Sequence, residues 1–152
     1  FLGDEMDAAS AAVLVTINMA LANGSMSTPA GMIKKHDDFI FIAGANTFGT
    51  GADRQYVGRA QLDAATLDRF AFIAWDYDEE LEQRLCSDLA WFRQVQRFRA
   101  NAAAHSLKVV ISPRASINGA KLLAAGMEQS KVEQMLIFKG LDEQTINKIK
   151  GE

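Results

Sequence analysis

Two adjacent carboxylates near the start of the chain, Asp4 and Glu5, are the residues best suited to chemistry. They follow Phe1-Leu2-Gly3, which has the apolar character of the end of a buried strand. One carboxylate of such a pair can hold a hydrated Mg²⁺, and the other can polarise an attacking water molecule. Taken alone, however, an acidic pair at this place is more typical of a solvated turn that caps the following helix.

Further polar residues have the chemistry to act on phosphate groups. Asn46 follows an apolar run and can orient a water molecule without adding charge. Arg69 ends a short helical segment, and its guanidinium suits phosphate oxygens, although Arg54 and Arg59 compete for that role. Arg114 lies just inside a helix start, where free backbone amides favour anions. Each also has an ordinary interpretation: a turn asparagine, a salt-bridged arginine or an exposed first-turn side chain.

The elements that must position these residues alternate between strand and helix in the first half of the chain. Apolar residues that recur about every 3.6 positions indicate a helix, and a continuous apolar run indicates a buried strand. The predicted elements are a strand end at 1–3, a helix over 8–22, a hairpin or loop over 25–35, a strand over 39–43, a short helix over 62–69 and a strand over 70–75.

From residue 76 onwards the sequence predicts only helices. A helix over 89–104 carries an apolar stripe of Trp91, Val95 and Phe98. Three pairs of residues have the spacing of helix N-termini. These pairs are Asp76 with Glu79, Ser112 with Pro113, and Ser130 with Glu133.

This order of elements predicts an α/β fold. Strand–helix–strand units imply a parallel sheet with crossover helices, here followed by an all-helical part. Ligands of such sheets bind at the carboxyl ends of the strands. Asp4-Glu5, Asn46 and the residues after Trp75 are therefore expected along one edge.

The composition is that of an ordinary globular domain, with 49% hydrophobic and 23% charged residues. No apolar stretch is long enough to span a membrane and no secretory signal is recognisable, so we expect a cytoplasmic protein. Residues 1–90 carry a net charge of −8 and residues 91–152 one of +5. A basic half indicates either an anionic partner or docking on an acidic neighbour.

In this order the motifs resemble those of the AAA+ ATPase superfamily, most of all its MoxR and dynein-related branch. Residues 1–7 resemble a Walker B motif, and residues 43–47 resemble the sensor 1 strand. Residues 49–70 look like the loop and helix that end in an arginine finger, and residues 112–115 look like sensor 2 of a helical lid. The resemblance covers nearly the whole chain, and its middle segment is the most specific part.

The resemblance implies an ATP-driven remodelling enzyme that binds ATP and Mg²⁺ and works as a homo-oligomeric ring, often a hexamer, on an unknown protein client. Asp4 would hold the hydrated metal, and Glu5 would activate water. Asn46 would position that water against the γ-phosphate. Arg69 would act on a neighbouring subunit's nucleotide, and Arg114 would report the nucleotide state to the lid.

The same resemblance divides the chain into a partial P-loop α/β core over 1–85 and a helical lid over 86–152. Proteins of this superfamily carry a phosphate-binding loop (Walker A) upstream of Walker B, and none precedes Asp4 in this sequence. We therefore expect the chain to be the C-terminal portion of such an ATPase. Alone, it is expected to bind ATP weakly and not to hydrolyse it, because the main cradle for the phosphates is missing.

Two other classes of function stay open at this point. One is a non-catalytic interaction scaffold that keeps the fold. The other is a nucleic-acid-binding helical module in which Arg93 and Arg97, beside Trp91 and Phe98, bind single strands. Aromatic residues at this spacing more often belong to a core.

Overall fold

The computed structural model describes residues 1–53 and 56–152. They form two compact units, residues 1–73 and residues 74–152. The boundary predicted between residues 85 and 86 differs from this division. It would separate helix α3 (Glu79–Leu85) from helix α5 (Pro113–Ala124), on which α3 packs.

The described part of the chain is a mixture of helices and two small sheets, which agrees with an α/β class at this coarse level. None of these helices is long and apolar enough to cross a membrane. The remaining elements are β1 (Leu2–Gly3), α1 (Ala11–Asn23), β2 (Ser25–Thr28), β3 (Gly31–Lys34), β4 (Ile42–Ala43), α2 (Ala64–Leu67), α4 (Leu89–Ala104), α6 (Gln129–Leu136) and α7 (Glu143–Lys150).

Strands β1 and β4 form a parallel pair in the first unit. Leu2 lies opposite Ile42 and Gly3 lies opposite Ala43. The predicted strand over 39–43 is thus shorter in the structure, covering only its last two residues, where β1 supplies hydrogen-bond partners. The parallel direction of the pair is as predicted.

Helix α1 and the hairpin after it confirm the prediction made from local signals. Ser10 caps α1 by accepting a hydrogen bond from the backbone N–H of Val13 at 3.4 Å. Gly24 ends the helix with a φ of 63°, a left-handed conformation that glycine adopts without steric cost. Strands β2 and β3 then pair antiparallel, with Met26 opposite Ile33.

The strand predicted over residues 70–75 is wrong, because that segment forms no strand in the structure. A strand needs a neighbour for its backbone groups, and none of the described strands pairs with this segment. Its apolar side chains are correspondingly exposed, Ile73 at 79% and Trp75 at 92%. The residues after Trp75 therefore do not lie at the end of a sheet strand.

The second unit holds the hydrophobic core of the described chain. The predicted stripe of α4 is confirmed, since Trp91, Val95 and Phe98 are at most 2% exposed. The core is completed by residues of the other helices and of the segments between them. These are chiefly Ile111, Ala115, Ala120, Val132, Ile137, Phe138 and Ile149.

Two of the three predicted helix starts are wrong by about half a turn. Helix α3 is capped by Asp78, whose Oδ1 accepts from the backbone N–H of Leu81 at 2.8 Å, rather than by Asp76. Helix α6 begins after Glu128, and Ser130 donates its hydroxyl to Glu128 instead of capping. Only the Ser112-Pro113 start is confirmed, with Pro113 as the first residue of α5.

Candidate active site

The parallel pairing brings two of the predicted site segments to one edge of the first unit. Asp4 and Glu5 follow the end of β1 directly, and Asn46 comes three residues after the end of β4. The pairing continues past the strands, because the N–H of Gly44 donates to the carbonyl of Gly3 at 2.9 Å and the N–H of Met6 donates to the carbonyl of Gly44 at 2.9 Å. Asp4 and Glu5 thus lie between two fixed backbone hydrogen bonds.

Glu5 has a backbone conformation that non-glycine residues rarely adopt. Its φ is 50° and its ψ is 42°, in the left-handed region. For an L-residue this conformation costs roughly 1–2 kcal/mol, and such strain often lies at functional sites. The side chain of Asp4 supports it by accepting the N–H of Glu5 at 2.9 Å. The carboxylate of Glu5 remains 64% exposed, so it is open to solvent and to a ligand.

Asp4 is a carboxylate that could bind Mg²⁺ mainly through water molecules of the ion's coordination shell. Its carboxylate lies against Gly44, where a Cβ atom would come within 2.9 Å of Asp4 Oδ1. The absence of a side chain at Gly44 therefore leaves room for the carboxylate at the strand edge. Mg²⁺ in nucleotide sites takes one or two carboxylates and completes its shell with water and phosphate oxygens. The described residues contain no group of three or more candidate metal ligands.

A partly buried cluster of polar and charged side chains adjoins this edge, formed by Glu5, Asp7, Thr47 and Arg59, and is called the Asp7 cluster below. Asp7 is fully buried. Its Oδ2 accepts from the backbone N–H of Thr47 at 3.0 Å and from the hydroxyl of Thr47 at 2.9 Å. A guanidinium nitrogen of Arg59 lies 3.5 Å from Asp7 Oδ1 and 3.5 Å from Glu5 Oε2.

The sequence did not reveal the role of Asp7. Its burial depends on Thr47, which is 40 residues away, and on Arg59 in the next loop. No local spacing distinguishes Asp7 from the exposed acids Asp4 and Glu5. The proximity of a third acid to Asp4-Glu5 was the one available signal, and it does not indicate burial.

The arginines that compete for action on a neighbouring nucleotide lie in different environments. Arg59 has a side chain only 12% exposed and is paired with acids of its own chain. A residue that reaches another subunit must be free at the surface, which favours Arg69, an exposed residue, over Arg59. Arg54 lies outside the described residues.

Helix α2 positions Arg69. Asp63 caps α2 by accepting the N–H of Thr66 at 2.6 Å, and this hydrogen bond lowers the pKa of the Asp63 carboxyl below its ordinary value. Asn18 of α1 donates to the Thr66 hydroxyl at 2.7 Å, which ties α2 to α1. Arg69 then donates to the carbonyl of Ala65.

Arg69 also lines a cavity of about 630 Å³. The other residues of this cavity come from α1, from the approach to β4 and from the end of α2. They are Leu21, Ala22, Phe41, Ala65, Asp68 and Phe70. The structure therefore groups Arg69 with α1 and α2, apart from the Asp7 cluster.

Arg114 belongs to the second unit, in the first turn of α5, and its side chain is exposed. A buried ion pair fixes the backbone on both sides of it. Arg99 donates to both carboxylate oxygens of Glu82 at 3.0 Å, and its Nε donates to the carbonyl of Ile111 at 2.9 Å. Ser116 donates its hydroxyl to Glu82 at 2.5 Å. The sequence did not indicate this network.

The aromatic side chains beside the arginines of α4 are not accessible for stacking, and Arg97 itself lies over the Phe98 ring at 5.7 Å. Arg93 and Arg97 are exposed, but Trp91 and Phe98 are 2% and 1% exposed and belong to the core. Single-stranded nucleic acids bind through aromatic faces that are accessible to bases. The nucleic-acid hypothesis therefore gains no accessible aromatic surface from Trp91 and Phe98, and it stays a hypothesis.

Two comparisons with known proteins bear on the family of this chain. No model of a known protein family matches the chain. The search of curated proteins likewise found no match.

Proposed function

We propose that the chain belongs to an AAA+ ATPase of the MoxR and dynein-related type, which binds and hydrolyses ATP with Mg²⁺ as a homo-oligomeric ring. One observation carries the proposal. Asp4 and Glu5 leave β1 at the same edge at which Asn46 follows the parallel strand β4, and Glu5 is held there in a left-handed conformation. Ligands of parallel sheets bind at this edge.

Each residue at the edge has a chemical task in this proposal. Mg·ATP, when bound, supplies an electrophilic γ-phosphate whose developing charge the metal offsets. Asp4 holds the hydrated metal through its exposed carboxylate. Glu5 accepts a proton from the attacking water as a general base, and the Asn46 amide orients that water. These roles need an accessible carboxylate at Glu5, and its side chain is 64% exposed.

Arg69 and Arg114 have the two remaining roles in this proposal. Arg69 extends from the end of α2, and in the ring it contacts the nucleotide of a neighbouring subunit. Arg114 stands at the start of α5, where backbone amides also favour an anion. There it couples the nucleotide state to the helical second unit.

The first unit leaves large apolar side chains uncovered, which supports the expectation that a further segment packs on it. Helix α1 buries none of its residues, and Val15 and Met19 are 57% and 51% exposed. Soluble proteins rarely leave extended apolar patches uncovered without a partner.

The proposal is tested by changing Glu5→Gln in the full-length protein that contains this chain. ATP turnover is expected to fall by about 10²–10⁴-fold, because a general base contributes that much. Nucleotide binding, measured by titration with a fluorescent ATP analogue, should remain. Glu80→Gln is the matched control, since Glu80 is an exposed acid on α3 with a side chain 83% exposed.

Turnover by the Glu5→Gln protein within twofold of the parent would contradict the proposed chemistry. Absence of both nucleotide binding and turnover in the parent would instead favour the alternative function, a non-catalytic interaction scaffold. In the isolated chain we expect weak ATP binding and no hydrolysis. Glu5-dependent turnover by the isolated chain would show that no further phosphate-binding segment is needed.

Arg69→Ala is expected to lower turnover in the assembled ring by about 10³-fold or more, the range found when an arginine that acts in trans is removed. The measurement is turnover in rings mixed from Arg69→Ala and Glu5→Gln subunits. Because each variant supplies what the other lacks across the interface, mixed rings should be more active than either variant alone. If Arg69→Ala leaves turnover intact, the assignment is wrong, and Arg54 and Arg59 become the candidates.

A further inference from the structure

Asp7 joins three segments of the first unit that are distant in sequence. Its carboxylate binds Thr47, which is the neighbour of Asn46, through two hydrogen bonds of 3.0 and 2.9 Å. Its other oxygen lies 3.5 Å from Arg59. Its backbone carbonyl accepts the N–H of Ala60 at 2.7 Å, which fixes the loop that carries Arg59.

Two branches lead from Asp7 to the residues at the strand edge. One branch runs through Thr47 to Asn46, because the backbone of Thr47 is held directly after Asn46. The other branch runs through Arg59 to Glu5, whose Oε2 lies 3.5 Å from the same guanidinium nitrogen. A change at Asp7 would therefore move both residues that handle the attacking water.

We propose that Asp7 is a positioning residue that orients Asn46 through Thr47 and Glu5 through Arg59. This inference rests on the proposed function, and it adds two residues, Asp7 and Arg59, to those that act on catalysis. Neither needs to touch the substrate. Displacement of catalytic groups by about 1 Å can cost on the order of 100-fold in rate.

The composition of the cluster argues against a purely structural purpose. Burying an ion pair is often no more stabilising than packing apolar residues of similar size. Here the arrangement also leaves Asp7 Oδ1 and Arg59 Nε without a hydrogen-bond partner among the described residues. An unsatisfied buried donor such as Arg59 Nε costs roughly 1–3 kcal/mol, whereas Asp7 Oδ1 keeps the Arg59 guanidinium at 3.5 Å. The strained backbone of Glu5 adds to this cost at the same place.

The test uses steady-state ATP kinetics of the full-length protein with three single variants. Asp7→Asn removes the charge that holds Arg59, Thr47→Val removes one hydrogen bond to Asp7 at nearly constant volume, and Arg59→Gln removes the contact with Glu5. We expect kcat to fall about 10–100-fold while the KM for ATP changes less than about threefold. A loss of positioning lowers kcat, whereas a loss of substrate binding raises KM. Arg59→Lys should recover part of kcat.

The controls separate positioning from folding. Arg84→Gln removes an exposed ion pair on α3, with side-chain exposures of 67% and 83%, and should leave both constants unchanged. Circular dichroism and the fraction of protein in the ring are compared for every variant. Thr47→Val is the mildest change, so it keeps the test decisive if Asp7→Asn fails to fold.

A double-variant cycle tests whether Asp7 acts through Asn46. If Asp7 acts through Asn46, Thr47→Val should cost little further activity in an Asn46→Ala protein, because residues that act as a unit are not additive. Multiplicative losses, or losses of kcat that follow the folded fraction, would overturn the positioning role while leaving the ATPase intact. Undiminished turnover in Glu5→Gln would overturn the proposed function, and this inference with it.

Discussion

Replacing Arg99 with alanine is expected to lower the free energy of unfolding of the second unit by about 3–5 kcal/mol, because it leaves a buried carboxylate without its counter-charge. Glu82 is 1% exposed, and Arg99 donates to both of its oxygens at 3.0 Å. The aromatic ring of Tyr77 covers the guanidinium at 4.8 Å, and Arg99 also holds the carbonyl of Ile111. All of these contacts are made by the side chain of Arg99, so the substitution removes them together.

The measurement is denaturant unfolding followed by tryptophan fluorescence. Trp91 is 2% exposed and reports the core of the second unit, whereas Trp75 is 92% exposed and should change little. Arg84→Ala is the matched control, because it breaks an exposed Arg–Glu pair that should contribute at most about 0.5 kcal/mol. A loss below about 1 kcal/mol for Arg99→Ala would mean that Glu82 finds another partner or becomes solvated.

The same pair predicts the pH dependence of stability. Burial raises the pKa of Glu82, but hydrogen bonds from Arg99 and Ser116 and the guanidinium charge outweigh it, so the pKa lies below the ordinary 4.5. A carboxyl whose pKa is lower in the folded state stabilises fully above its unfolded pKa and loses this contribution as pH falls through the folded pKa. The parent should therefore lose this contribution as the pH falls below about 4.5, and the gap between parent and Arg99→Ala should shrink in more acidic solution.

Gly119→Ala is expected to destabilise the second unit by about 1–3 kcal/mol through overpacking, despite the better helix propensity of alanine. A Cβ atom at Gly119 would clash with the Nε1 and Cε2 atoms of the Trp91 indole. The indole cannot move freely, since it is buried and donates to the carbonyl of Ala115 at 3.1 Å. Displacing it would break that hydrogen bond as well.

The control for this prediction is Asn118→Ala, a substitution to alanine at the exposed neighbouring position on α5. Its effect on the free energy of unfolding should stay within about 0.5 kcal/mol. In a Trp91→Phe protein, which has a smaller ring, Gly119→Ala should cost clearly less than in the parent. An equal cost in both proteins would show that the clash with the indole is not the cause.

The elements that could be predicted are those whose signals lie within a few residues of one another. The start of helix α1 lies three residues later than predicted, whereas the helix ends at Gly24 as expected from a stop signal that acts within one helical turn. Pro113 starts α5 for the same reason. The strand expected over residues 70–75 failed because apolar character shows only that a segment avoids water, whereas a strand also needs a neighbour to bond.

The candidate site could be predicted only in part. The sequence placed Asp4, Glu5 and Asn46 at the ends of two strands, and the parallel pairing of β1 and β4 brings those ends to one edge. The catalytic roles of these residues, and those of Arg69 and Arg114, stay predictions. The partners of Glu5 were not predicted, because hydrogen bonds between distant segments have no sequence period.

The sequence by itself determined the end of α1, the start of α5 and the apolar stripe of α4, because their signals lie within single turns or repeat from turn to turn. Only the tertiary structure decided which charges are buried. Asp7 reaches Thr47 across 40 residues, and Glu82 reaches Arg99 across 17 and Ser116 across 34. Burial of a charge depends on whether its counter-charge arrives at the same place, and chain folding decides this where local spacing does not.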